Sequence, residues 1–222
     1  ATRAFNLACI EEDGFEADDI IATLAVQARD AGARVTIISS DKDLMQLVGG
    51  GVEMLDAMKN KRIGVEQVEE KFGVGPDRVV DVQSLAGDSV DNVPGAPGIG
   101  IKTAALLINE FGDLDALLER AGEIKQPKRR QTLIDYAEQI RISRELVTLR
   151  QDMTVPFDFA AMEVRDPDPE TCLGFLTQME FRTLSARIAG KLGVEPPVIA
   201  EPEVLGSAPV PASAAVGFDA DR

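Results

Sequence analysis

Seven acidic side chains in three short stretches are the residues of this sequence most able to do chemistry: Glu16-Ala-Asp18-Asp19, Asp41-Lys-Asp43 and Asp88-Ser-Val-Asp91. Each stretch stands where a strand or loop is expected to hand over to a helix. Capping and the helix macrodipole favour Asp and Glu in a first turn, by about 0.3–1 kcal/mol each, so a single stretch would read as ordinary helix chemistry. Two stretches that follow successive strands of one parallel sheet are different, because the carboxyl ends of such strands share the edge where ligands bind. Carboxylates crowded within a few ångströms raise one another's pKa and call for a counter-charge. The chain has no histidine, which removes the commonest general base and every Ser-His or Cys-His arrangement. Oxygen-only ligands select Mg²⁺ or Mn²⁺ over zinc, and two such ions about 3.5–4 Å apart suit in-line phosphodiester hydrolysis. Glu16, Asp18, Asp19, Asp41, Asp43, Asp88 and Asp91 are therefore expected both as metal ligands and as catalytic residues.

A second feature follows the third acidic stretch. Pro94-Gly-Ala-Pro-Gly-Ile-Gly100, leading into Ile-Lys102-Thr103-Ala, has the form of a helix-hairpin-helix turn. Glycine lets backbone approach a phosphate closely, and the next helix offers free N–H groups at its N-terminus. Gly95, Gly98, Gly100, Lys102 and Thr103 are the expected DNA-binding residues, gripping backbone without reading sequence. A purely structural turn between packed helices is the plainer reading. A mononucleotide P-loop is excluded by spacing, since no G-x-x-x-x-G-K-[ST] order and no preceding strand is present. The one concentrated basic run, Lys125, Lys128, Arg129 and Arg130, reads equally as a solvated helix start or as a secondary duplex contact.

The elements that must position these residues can be read from periodicity. Phe5–Ile10 is short and apolar enough for a strand, and Glu16–Ala31 carries Ile20, Leu24 and Ala28 at helical spacing. Arg34–Ser39 reads as a strand buried on both faces of a parallel sheet. Asp41–Val48 turns helical, and Val52–Leu55 with Arg62-Ile63 read as short strands about Lys59-Asn60. Helices are expected over Val65–Phe72 with Gly73 as stop, Pro76–Leu85, Lys102–Phe111 and Leu114–Arg120. Lys128–Leu149 reads as one long packing helix, with Leu133, Tyr136, Ile140 and Val147 on its inner face. Pro169–Leu192 holds one or two more, and Asp166, Asp168 and Glu170 are read as solvent-facing. From Val194 the Pro- and Ala-rich composition reads as a disordered linker. The expected organisation is 1–64 as part of an α/β core, 65–193 as a helical DNA-binding region and 194–222 as linker.

Composition bounds the partners. The 222 residues suffice for a substantial domain with an appendage, and no apolar run approaches the roughly 18 residues of a membrane span. Cys9 and Cys172 read as buried free thiols, which places the protein in the reducing cytoplasm. A formal charge of −15 argues against a nucleic-acid partner unless the clustered carboxylates hold divalent ions that invert the local field. The chain opens on Ala1-Thr2-Arg3 and reads as a piece of something longer.

Taken in order, Glu16-Ala-Asp18-Asp19, Ser40-Asp41-Lys42-Asp43, Gly87-Asp88-Ser-Val-Asp91-Asn92 and the Pro94–Gly100 turn with Ile-Lys-Thr-Ala closely resemble the 5′-nuclease domain of bacterial DNA polymerase I. The likeness runs from about Phe5 to Arg187. It implies a PIN-like, flap-endonuclease α/β core followed by a helix-three-turn-helix module, and Mg²⁺-dependent cleavage of 5′ flaps and primer ends in replication and repair. It implies that Glu16, Asp18 and Asp19 serve a first metal site and that Asp41, Asp43, Asp88 and Asp91 serve a second. Two Mg²⁺ or Mn²⁺ ions are the implied cofactors, with K⁺ at the turn around Gly98 and Gly100. The implied partners are flapped, nicked or primer-containing duplex DNA and polymerase domains downstream in the same chain. The family's opening strands, two further aspartates and a basic arch are not found before Ala1, so the resemblance implies a truncated sheet with unpaired edges and an impaired nuclease. A non-catalytic duplex-binding module is the alternative.

Overall fold

The computed structural model describes residues 1–155 and 158–196. Contacts divide the chain into Ile10–Phe159 and a smaller unit made of Ala1–Cys9 with the chain from Ala160 onward. The expected linker, 194–222, lies outside the described residues from 197 on.

In the larger unit, helix α1 (Ala17–Asp30) starts after an extended Glu16 and carries Asp18 and Asp19 in its first turn. It buries Ile20, Ala22, Thr23 and Ala25, and ends where Gly32 takes a φ of 84°. Three strands follow: β1 (Val35–Ile38), β2 (Val52–Asp56) and β3 (Lys61–Ile63). β1 pairs parallel with β2, Val35 opposite Val52 and Ile38 opposite Leu55. β3 returns antiparallel, Met54 opposite Ile63, through a turn in which Asn60 takes a φ of 50°. Between β1 and β2 a 3₁₀ turn (Asp43–Leu47) sinks Leu44, Met45 and Leu47 into the core.

Among the described residues six α-helices follow in this unit: α2 (Val65–Phe72), α3 (Val79–Ala86), α4 (Ile101–Phe111), α5 (Leu114–Glu119), α6 (Pro127–Asp135) and α7 (Ala137–Val147). One continuous cluster runs from the sheet (Ile37, Met54, Ile63) through Val68, Phe72 and Leu85 to Ile108, Leu133 and Ile140. Each such side chain contributes about 1.5–3 kcal/mol by leaving water. Residues on both sides of Gly64 share this core, and the contact division falls at Phe159, inside the stretch 65–193. In the smaller unit α8 (Pro169–Gln178) and α9 (Arg182–Leu192) close on Cys172, Leu173, Leu176 and Ala189, with Phe5 packed against them. Asp168 is exposed as expected, and its carboxylate caps α8 by accepting from Thr171 N–H at 2.8 Å.

Four expectations need correction. Phe5–Ile10 forms no strand: Arg3–Phe5 is a 3₁₀ turn, Asn6 adopts φ 55°, and an apolar run without a partner strand has nothing to complete its ladder. β1 is not covered on both faces, since Thr36 is exposed and Ile38 keeps 68% of its surface; it is an edge strand among the described residues. The segment 41–48 makes a short 3₁₀ turn instead of a helix. The long helix over 128–149 is broken at Tyr136 (φ −107°, ψ 15°), which leaves Tyr136 itself exposed and lets α7 point at the hairpin turn. Among the described residues no helix is long and apolar enough to cross a membrane.

Candidate functional site

The acidic residues come together, though not by the route periodicity suggested. With no strand over 5–10, it is the N-terminus of α1 that faces the end of β1. Asp18 is pushed above the ordinary carboxylate range, first by partial burial and then by the charges of Asp41, Asp43, Glu16 and Asp19. Asp43 is pushed up by burial and by Asp41 and Asp91, against the opposing effects of Gln83 Nε2, which donates to its Oδ1, and of Lys42. The first two acidic stretches and Asp91 of the third therefore feel one another across the fold.

They are not yet a closed cage. Among the described residues no group of three or more Asp, Glu, Cys and His side chains stands at metal-holding spacing. Four of the carboxylates are drawn to different partners. Asp19 Oδ1 accepts from Arg150 N–H at 2.8 Å, tying α1 to the segment beyond α7. Asp41 Oδ1 accepts from Asp43 N–H at 2.9 Å, and Ser39 Oγ accepts from Asp41 N–H at 3.0 Å, so the loop after β1 is a self-bonded turn. Asp88, only 7% exposed, accepts from Val90 N–H at 2.9 Å through Oδ1 and pairs with Lys42 Nζ through Oδ2. That ammonium holds the Asp88 carboxyl below its usual range, and Asp88 in turn raises Lys42. The expectation of seven carboxylates within a few ångströms of one another is thus corrected: Asp19, Asp41, Asp43 and Asp88 each bond to other groups of the protein, and no three acidic side chains among the described residues stand at metal-holding spacing. Asp91 remains exposed on a cleft of about 370 Å³ with Ser39, Ser40, Asp41, Lys42 and Lys71.

The hairpin turn is built differently. Gly95 is buried, its N–H donates to Ser143 Oγ at 3.0 Å and its carbonyl accepts from Gln139 Nε2 at 2.7 Å. A side chain at Gly95 would meet the Ala86 carbonyl carbon and Gly87 Cα at 2.7 Å, and φ is 58°. Gly95 is therefore a packing residue, not a group turned to a ligand as its place in the motif suggested. Gly98 (φ 77°) and Gly100 are exposed with nothing near their missing side chains. The amides of Thr103 and Ala104 both turn to the Gly100 carbonyl at 2.9 Å, whereas those of Ile101 and Lys102 have no acceptor among the described residues. Lys102 is exposed and Thr103 half-buried. Beside Gly98 lies a cleft of about 260 Å³ whose far wall is Gln126, Lys128, Arg129 and Thr132. Part of the basic run thus shares the turn's cleft, while Arg130 bends back to the Ile124 carbonyl at 3.3 Å.

The residues that sequence reasoning missed are Lys42, Gln83 and Lys71. Only Lys42 carried a signal, being a cation flanked by two aspartates; the others reach the site from α3 and α2 through the fold.

Two family models match consecutively: the N-terminal resolvase-like domain of the 5′-3′ exonucleases over residues 1–73, and their C-terminal SAM fold over residues 74–170. The chain belongs to the 5′-3′ exonuclease family. Its α/β part is the resolvase-like, PIN-like element of that family and its helical part the SAM-like element. The chain is 58% identical over 189 residues to DNA polymerase I of Rhizobium leguminosarum, covering 85% of this chain and 19% of that one. It is 37% identical to the thermostable DNA polymerase I of Thermus aquaticus, covering 98% of this chain and 25% of that one. The chain thus spans about a fifth to a quarter of the length of these relatives. Bacteriophage T5 5′-exonuclease with bound divalent zinc superposes with a TM-score of 0.58 at 26% identity, covering 61% of this chain and 51% of that one. The catalytic core of Rad2 in complex with DNA shares the fold, with a TM-score of 0.54 at 18% identity, over 86% of this chain and 66% of that one.

Proposed function

We propose that this member of the 5′-3′ exonuclease family is the 5′-nuclease region of a DNA polymerase I, hydrolysing phosphodiester bonds at 5′ flaps and primer ends with divalent metal ions. The observation that supports the reading is the electrostatic pressure on Asp18 from Asp41 and Asp43, and on Asp43 from Asp41 and Asp91, so that charges of three chain segments act on one another.

Whether the residues fit metal ions can be judged from their chemistry. All donors are carboxylate oxygens, which suits Mg²⁺ or Mn²⁺, and like charges crowd Asp18 and Asp43 in the way a bound cation would relieve. Zinc bound to the T5 relative supports divalent binding, and the oxygen-only set is the reason for preferring Mg²⁺ here. Glu16, Asp18 and Asp19 would hold one ion, and Asp41, Asp43, Asp88 and Asp91 the second. When bound, such ions would supply Lewis acidity for activating water and for stabilising charge on the leaving oxygen. The protein's own residues prepare the place: the Val90 amide fixes Asp88, Gln83 fixes Asp43 and Arg150 N–H fixes Asp19, while Lys42 occupies the other Asp88 oxygen that an ion would compete for. Duplex DNA would lie against the exposed turn of Gly98 and Gly100, with the free amides of Ile101 and Lys102, Thr103 at the helix start and Lys128 and Arg129 across the cleft offering donors to a backbone phosphate. A K⁺ ion at this turn, polymerase domains further along the same polypeptide and a 1–64, 65–193 and 194–222 organisation belong to the same proposal.

The test is cleavage of a 5′-flap substrate by the whole polypeptide that carries this sequence, with and without Asp88→Ala plus Asp91→Ala. A loss of at least about 100-fold is expected. Undiminished cleavage by the double variant would remove the assignment.

A further inference from the structure

Two clefts open side by side in the larger unit, with Ser40 and Lys71 common to both. The first holds Asp41, Lys42 and Asp91, and belongs to the carboxylate site. The second, about 420 Å³, holds Asp56, Lys59, Lys61 and Glu70 and has no place in the reading so far. It gathers three of the chain's lysines, and two of them are answered. Lys59 pairs with Asp56 at 3.2 Å and Lys61 with Glu70 at 3.9 Å. Lys71, in the last turn of α2, has no carboxylate at ion-pair distance among the described residues, and its ammonium lies 5.7 Å from the centroid of the Phe72 ring.

A lysine in the last turn of a helix is ordinary, since it answers the helix dipole. Its placement is not. Partial burial holds the Lys71 ammonium below its usual range, and the charges of Lys42 and Lys59 add to that, outweighing the attraction of Asp41 and Asp43. An exposed ammonium in an open cleft, without an ion-pair partner among the described residues and repelled by neighbouring lysines, gains most when an anion arrives. The anion that this surface is already proposed to receive is a nucleic-acid strand.

We propose that Lys71 binds a backbone phosphate of the strand being cut, so that the strand passes over Ser40 from the carboxylate cleft into the lysine cleft of Lys59, Lys61 and Lys71. The inference rests on the nuclease reading and adds to it a phosphate contact outside the hairpin turn's own motif. Lys71 is then a positioning residue: it fixes where the strand lies and leaves the chemistry to the carboxylates.

Binding of 5′-flap DNA, measured without divalent ions across about 50–200 mM salt, tests this in the whole polypeptide. Each lost phosphate contact makes the slope of log K against log salt shallower by about 0.9 for duplex or about 0.7 for single strand. Lys71→Gln is expected to show that change, to raise KM for cleavage several-fold with kcat less affected, and to keep the wild-type melting temperature; Lys71→Arg is expected to restore the slope. A Lys71→Gln protein that keeps the full slope and affinity overturns the proposal, as does one whose only change is a lower melting temperature. If the unaltered protein neither binds nor cuts flap DNA, the nuclease reading falls first and this contact with it.

Discussion

The acidic site and the hairpin turn lie next to each other in sequence and are built on opposite principles. The acidic site is made of side chains that repel one another, with Asp88, Asp43 and Asp19 bonded to Lys42, Gln83 and the Arg150 amide. The turn is made of backbone, pinned from below by Ser143 and Gln139 and packed so tightly at Gly95 that no side chain fits. A site of charges can be assembled and disassembled by ions; a site of amides is finished when the protein folds. The first should respond to pH, metal and single charge changes, and the second to volume.

Volume should give the largest effects. Gly95→Ala forces a side chain against Ala86 and Gly87 at a positive φ, and is expected to cost about 2–4 kcal/mol of stability by chemical denaturation. Gly98→Ala faces open space and carries only the strain of φ 77°, so it should cost about 1 kcal/mol while weakening duplex binding. Equal stability losses at the two glycines would erase the division between a packed base and an open rim.

Charge comes next. Lys42→Met leaves the buried Asp88 carboxylate with Val90 N–H and no cation, and should lower metal-free stability by about 1–2 kcal/mol, less than a wholly buried pair because Lys42 is 32% exposed. With a competing cation gone, the same variant should gain more melting temperature from added Mg²⁺ than the unaltered protein does. A smaller gain would show that Lys42 helps the ion instead of standing in for it.

The smallest effect is on pH dependence. Asp18 has a folded pKa raised above its unfolded value near 3.8, so its contribution is neutral below that value and becomes unfavourable as pH climbs through the raised pKa. Asp88 has the opposite sign: its stabilisation is present above 3.8 and disappears as pH falls through its lowered pKa. Asp18→Asn should therefore raise metal-free stability slightly at neutral pH and leave it nearly unchanged at pH values below 3.8. A variant less stable than the parent at neutral pH would mean that Asp18 is paired, not crowded.

How much of this was legible follows from what each residue depends on. α2 begins and ends where Gly64 and Gly73 place it, because helix stops are local chemistry. The four motifs were legible as residue types at fixed spacing. The 5–10 strand was misread because a strand exists only with a partner, and sequence shows none. The break at Tyr136 is hidden by a continuous helical period from Leu133 to Val147; the bonds of Gln139 and Ser143 to Gly95, more than forty residues away, leave no mark on that period. The glycines of the turn looked alike in sequence, and only the fold distinguishes buried Gly95 from exposed Gly98. The tie between Lys42 and Asp88 joins a β1 loop to the end of α3 and has no local signature.

The central claim is that carboxylates from three segments share divalent ions. Titration of the metal-free protein with Mn²⁺, followed by calorimetry, tests it most directly. Binding is expected that Asp41→Asn with Asp43→Asn abolishes or weakens strongly while the folded state persists. Identical Mn²⁺ binding in that double variant would contradict it.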